Sequence, residues 1–366
     1  MMMMTQLGSL NAWEQTSAKP FWKVFLGGDA PSADTVGRVC ALISSDEIRK
    51  IIAEVIKRAR RNKIVILKLA GLQVLVLDGH ESHASKKRHC DGCLERTLST
   101  TAGEVKEYYH RHVLAILLLP DGCLLLDAEP QKKGEDEVAA AMRLLTRVTQ
   151  NHGRSFDVVI ADALYARAGF FNYLTERGKY ALVVLKNEER HLLRDADGLC
   201  TLVAPIVVEK NKVTRAIWDI EGLESWEGVK GPVRVLRSDE QRTIKRQLTG
   251  KKETEKTTWW WATTIPSSIL PAPETVDLGH VRWDIENRGF NELGTYWHAD
   301  HVYRHEENAM LIFTLLTLLA YNMFHLFLGR NVKAVLRESA SKLHFVRELM
   351  SELFRGSGTC FPGLPP

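Results

Sequence analysis

Three acidic residues occupy positions from which carboxylates could act together. The apolar run Leu72 to Leu77, with β-branched Val74 and Val76, leads into Asp78 and Gly79 and reads as a buried strand stopped by a turn. A second run, Val158 to Ala161, ends on Asp162 and is followed by helix-compatible sequence. The third acid, Glu286, lies in the stretch Val281 to Arg288, expected on a helix. Two strand-end aspartates and a glutamate from a helix packed on the sheet would give Mg²⁺ (or Mn²⁺) hard oxygen ligands on a rigid scaffold, with room for phosphate. In two-metal phosphodiester chemistry, ions held about 3.5–4 Å apart lower the pKa of the attacking water or hydroxyl and stabilise the leaving oxygen. Strand-end aspartates also serve as turn formers and helix caps, so spacing alone leaves both readings open.

Other side chains invite chemistry less directly. His80, His83, Cys90 and Cys93 could supply four tetrahedral zinc ligands, but a lone CxxC without a second clearly spaced pair is a weak signal. The competing reading is a polar loop beside the acids, with Lys86, Lys87, Arg88 and Arg96 facing phosphate. Trp259, Trp260 and Trp261 form an unusual run. In a strand its first and last rings share one face and Trp260 takes the other, which suits sheet packing or stacking on an unpaired base. Arg242, Lys245, Arg246, Lys251 and Lys252 nearby would supply phosphate contacts. There is no Walker loop, no G-x-G-x-x-G and no G-x-S-x-G, and the histidines at 80 and 83 stand one residue too close for H-E-x-x-H.

The elements that must position these residues follow from periodicity. Ser44 to Glu47 offers a capping box ahead of Ile48, Ile51, Ile52, Val55 and Ile56 at helical spacing. That helix ends on Lys57, Arg58, Arg60, Arg61 and Lys63, either a solvated face or a phosphate-contacting arm. After the Asp78 strand a polar loop is expected over 80–103, then strands over 108–119 and 123–128 joined by a turn at Asp121 and Gly122. A helix over 134–151, the strand ending at Asp162, a helix over 168–178 and a strand over 180–185 follow. This order resembles the RNase H-like fold: a mixed α/β sheet flanked by helices. Between about 190 and 266 short β-favouring runs suggest an inserted β-rich subdomain. The expected organisation is a helical region over 1–68 serving as a DNA contact or dimer arm, a core over 69–189 and 267–330, the insertion over 190–266 and a helical tail over 331–366.

Composition narrows the class. With 45% hydrophobic residues the chain is globular, and 49 basic against 45 acidic residues make any nucleic-acid argument depend on local clusters. Six scattered cysteines favour a reducing cytosol, and the start lacks the basic and apolar regions of a signal peptide. The stretch Ala309 to Leu328 has the length of a membrane span but carries Asn322 and His325, which favours a buried core helix.

Local sequence then adds what spacing cannot. The segments around Asp78, Asp162 and Glu286 resemble the three motif regions of bacterial DDE transposases, most closely the insertion sequence 4 type, which carries a β-rich insertion between the second aspartate and the glutamate. The similarity covers about residues 30–330, and the interval from Asp162 to Glu286 is the longer of the two, as an insertion requires. The resemblance implies that Asp78, Asp162 and Glu286 are catalytic Mg²⁺ ligands and that Arg282, one helical turn before the glutamate, contacts DNA phosphate. Gly279 and Leu293 stand where the family has a tyrosine and a lysine, and Asn287, Asn291 and Glu292 are candidates to substitute in part. The implied protein cuts at terminal inverted repeats and joins 3′-OH ends to target DNA, as a homodimer on double-stranded DNA in the bacterial nucleoid. A metal-dependent nuclease without strand transfer, and an inactive transposase-derived DNA-binding protein, are the alternatives.

Overall fold

The computed structural model describes residues 3–4, 7–64, 68–101, 103–120, 122–186, 191–245, 250, 252–285 and 291–355. Four helices come first: α1 (Leu10–Thr16), α2 (Pro20–Leu26), α3 (Ala33–Leu42) and α4 (Ser45–Arg61). The side chains of Ser9 and Ser32 accept the N–H groups of Ala12 and Thr35 and so cap α1 and α3. Ser44 precedes α4 as expected but makes no side-chain cap. The basic end of α4 is partly turned inward: Arg60 donates to the Arg154 carbonyl at 2.9 Å, whereas Arg58 pairs with Glu54 on the exposed face.

The core sheet begins with β1 (Lys68–Leu69), β2 (Leu72–Ser85), β3 (Leu94–Thr100), β4 (Gly103–Leu119) and β5 (Gly122–Pro130). It continues through α5 (Glu137–His152), β6 (Val158–Ala161), α6 (Ala168–Thr175) and β7 (Tyr180–Leu185). β2, β6 and β7 pair in parallel, and the runs Val74–Leu77, Val158–Ala161 and Ala181–Leu185 are buried throughout. Unbroken apolar sequence is what a strand covered on both faces requires. Asp136 caps α5, accepting the Ala139 N–H at 2.9 Å, and Leu144, Leu145 and Val148 lie in the core.

Two expectations need correction here. The expected loop over 80–103 is largely strand: β2 runs on to Ser85, with a bulge between Glu81 and His83, and β3 pairs along the first half of β4. This extension is held by cross-strand charge, since Arg96 donates to Glu81 and Glu107, and it therefore leaves no apolar period to read. Gly79 likewise lies in mid-strand opposite Val113, where no turn occurs.

The β-rich segment, with α7 (His191–Cys200) before it, contains β8 (Ile206–Lys210), β9 (Val213–Leu223), β10 (Val233–Lys245) and β11 (Lys252–Thr263). β11 pairs antiparallel with β7, Trp260 opposite Leu185, so these strands extend the central sheet in the order β3-β4-β2-β6-β7-β11-β10-β9-β8. β1 joins β2, and β5 joins β4. This mixed sheet flanked by helices is RNase H-like.

The chain then forms α8 (Ala272–Ile285), α9 (Asn291–Trp297), α10 (Glu307–Asn331), α11 (Ala334–Ser339) and α12 (Lys342–Arg355). α10 is long and apolar enough to cross a membrane by length and composition alone. It packs against α3, α4 and β5, and Asn322, fully buried at its middle, accepts from the Leu125 N–H at 2.8 Å and donates to the Leu125 carbonyl at 2.7 Å. An amide bonded to a strand edge marks a helix seated in a protein core.

Candidate active site

The parallel ladder between β2 and β6 pairs Val74 with Val158 and Val76 with Ile160. Two residues further along each strand stand Asp78 and Asp162, so register alone brings these acids to the same level on neighbouring strands. Asp78 lies in a strand paired on both sides, by β4 and by β6, and its side chain is only 17% exposed. Burial pushes its carboxyl up to about 6; Arg282 pulls it back down, and the charges of Asp162 and Glu137 push it further up. Asp162 opens a short 3₁₀ turn, Ala163–Tyr165, and accepts the Leu164 N–H at 2.9 Å.

Glu137 is an acid that sequence reasoning missed. It sits in the first turn of α5, where the helix dipole favours a carboxylate, and it is buried. Tyr165 donates to its Oε1 at 3.0 Å and Arg111 to its Oε2 at 3.2 Å. Burial nevertheless raises its pKa. Its carboxylate packs on Gly79 so closely that a Cβ there would require it to shift away from Tyr165 and Arg111, which favours a glycine immediately after Asp78. The available signal was the Asp-Glu pair at a helix start, which marks a cap without saying what lies above it.

Arg282 is buried on α8, and its Nη1 donates to Asp78 Oδ2 at 3.1 Å. Expected on DNA phosphate, the guanidinium stands against the carboxylate of Asp78, a candidate metal ligand. Glu286 lies outside the described residues, one position beyond the end of α8. α8 is held against the sheet by aromatic packing: Trp259 and Trp261 stack at 6.0 Å, and both meet His280 edge-on. A Cβ at Gly279 would lie 2.5 Å from Trp261 Nε1, so no tyrosine fits there without displacing a fully buried indole. Leu293 is buried on α9, and Glu292 bonds to His325 at 2.8 Å and pairs with Lys342. Asn287 lies outside the described residues.

The remaining expected contacts divide. Lys86, Lys87 and Arg88 are exposed between β2 and β3. Arg96 is engaged by Glu81 and Glu107, so the expectation that it faces phosphate is not met. Trp260 is half-buried, with the Arg237 guanidinium 5.4 Å from its ring centre. Arg246 and Lys251 lie outside the described residues. Cys90 and Cys93 meet the histidines at 110 and 305, whereas His80 Nε2 faces Asp300 at 2.9 Å. The side chain of His83 lies outside the described residues.

Against this geometry, the family described as "Transposase DDE domain" matches residues 70–323, well over half of the chain. The chain belongs to the DDE transposases. Family membership carries DNA binding, DNA recombination and the use of divalent metals such as Mg²⁺ or Mn²⁺. No curated protein matched the sequence. In this transposase the matched region runs from just before β2 into α10, taking in β2, β6, the added strands and α8.

Proposed function

We propose that this DDE transposase, of the insertion sequence 4 type, cuts DNA at the terminal inverted repeats of its element by water attack and joins the freed 3′-OH ends to target DNA. Asp78, Asp162 and Glu286 act in every step. The observation that best supports this reading is the in-register pairing of β2 with β6, which aligns two aspartates remote in sequence on a buried, rigid sheet. Their hard carboxylate oxygens suit Mg²⁺ or Mn²⁺, with Asp78, Asp162 and Glu286 as holders; bound there, the ion would supply Lewis-acid activation of the attacking oxygen and charge neutralisation at the phosphate.

The chain's own residues supply positioning. Asp162, fixed through Oδ1 by the Leu164 N–H, presents its other oxygen from the end of β6. Glu137, Tyr165 and Arg111 brace the ground beneath Asp78. Arg282 balances the Asp78 charge and precedes Glu286 by four positions in the sequence; its contact with Asp78 puts it near enough to serve a scissile phosphate as well. Lys86, Lys87, Arg88, Arg246 and Lys251 bind the DNA backbone, and Trp260 stacks on a base freed at the element end. The protein works as a homodimer on two DNA ends in the bacterial nucleoid.

The absence of the family's tyrosine and lysine at Gly279 and Leu293 favours, as the second reading, an inactive DNA-binding descendant. One assay separates the readings: purified protein, Mg²⁺, and DNA carrying the element ends and a target. Cleaved ends that become joined products support the transposase. Asp162→Asn, which keeps the acceptor for Leu164, should lose both products and still bind DNA. Cutting that survives this substitution overturns the site, cutting without joining indicates a nuclease, and binding without cutting indicates the inactive descendant.

A further inference from the structure

We propose that Cys90, Cys93, His110 and His305 bind one structural Zn²⁺ that fastens the β3–β4 hairpin to the start of α10. Among the described residues these four side chains gather with all ligand atoms within 4.8 Å of one another. The two sulfurs are 3.8 Å apart; His110 Nε2 lies 3.3 Å from Cys90 Sγ and 3.2 Å from Cys93 Sγ, and His305 Nε2 lies 3.5 Å from Cys93 Sγ. A tetrahedral ion with Zn–S of about 2.3 Å and Zn–N of about 2.0 Å has an S–S edge of about 3.8 Å and S–N edges of about 3.5 Å. The four spacings are close to the corresponding four of the six edges of a zinc tetrahedron. They are far from the S–S bond of about 2.05 Å that a disulfide would need.

The donor chemistry agrees with the geometry. Two thiolates and two imidazoles are soft and borderline ligands that select zinc over Mg²⁺, and the two thiolates cancel the ion's charge. Cys93 and His110 are buried, and Cys90 and Cys93 form a tight turn, with the Cys93 N–H donated to the Cys90 carbonyl at 3.1 Å and the Cys90 N–H to Cys93 Sγ at 3.2 Å. Four protein ligands leave no open position, which makes the site structural. Its effect is a cross-link between residues 212 positions apart, Cys93 and His305. His305 sits two residues before α10, and Asp300, on the same segment, holds His80, which follows Asp78 by two positions. The ion thus anchors the segment returning from α9 beside the strand that carries the first aspartate.

The test uses the full chain with no added purification tag that binds metal. After incubation with Zn²⁺ and desalting, elemental analysis should find one zinc per chain; the C90S/C93S double variant should lose it, and Asp162→Ala should keep it. Co²⁺ in place of zinc should give tetrahedral visible bands with a thiolate charge-transfer band. If the double variant fails to fold, mass spectrometry of the native chain decides: N-ethylmaleimide should modify Cys90 and Cys93 only after a zinc chelator is added. A chain that retains no zinc, an octahedral cobalt spectrum, or labelling of both thiols at the same rate with and without chelator overturns the proposal. None of these measurements depends on DNA cleavage, so the result is separate from the fate of the catalytic reading.

Discussion

Replacing Asn322 by leucine tests whether α10 is a core helix held by one amide. Asn322 is fully buried and accepts from the Leu125 N–H and donates to the Leu125 carbonyl, groups that point away from β4 at the edge where β5 lies. Leucine fills a similar volume but leaves both backbone groups buried and unsatisfied, at about 1–3 kcal/mol each. The added apolar burial offsets about 2 kcal/mol of a gross cost of about 2–6 kcal/mol, so a net loss centred on about 2 kcal/mol is expected. Against a total stability of about 5–15 kcal/mol, that should shift a urea midpoint clearly while the slope stays unchanged. The assay is equilibrium unfolding of the purified protein followed by tryptophan fluorescence. A variant within about 0.5 kcal/mol of the native chain, or more stable, would refute the argument that this amide completes the edge of β5.

Two further outcomes are expected. Burial lowers the pKa of His152 to about 4, with Asp127 opposing the shift and Arg60 adding to it. The histidine is neutral when folded, so its contribution is fully present above the unfolded value of about 6.5 and is lost as pH falls towards about 4, with about 2 kcal/mol gone by pH 5. His152→Gln should therefore narrow the stability gap between pH 7.5 and pH 5 in urea titrations; an unchanged gap would show that the histidine titrates alike in the folded and unfolded chain. Gly279→Ala should destabilise by about 1–3 kcal/mol despite alanine's better helix propensity, because its methyl meets Trp261, and the indole emission should shift. A more stable variant would show that the α8–β11 contact has slack.

Buried central strands were legible because their signal is local. Val158–Ala161 and Tyr180–Leu185 are short apolar runs bounded by polar residues, and the structure ends the strands at those bounds. The same simplicity misled at Gly79: a glycine after an aspartate has the signature of a turn, but its cause is the carboxylate of Glu137 arriving from another element. The strand beyond it was missed because Arg96, Glu81 and Glu107 hold that ladder by charge, which leaves no hydrophobic alternation.

The sequence by itself determined the class of fold, the apolar runs that lead into Asp78 and Asp162, and the CxxC pair, because each is written in neighbouring residues whose burial or reactivity is a local property. Only the tertiary structure decided that Arg282 meets Asp78, that Glu137 lies beneath it, and that His110 and His305 are the histidines beside the cysteine pair. Those are meetings of groups tens to hundreds of positions apart, fixed by strand register and helix packing, and no local pattern encodes which distant side chain will arrive.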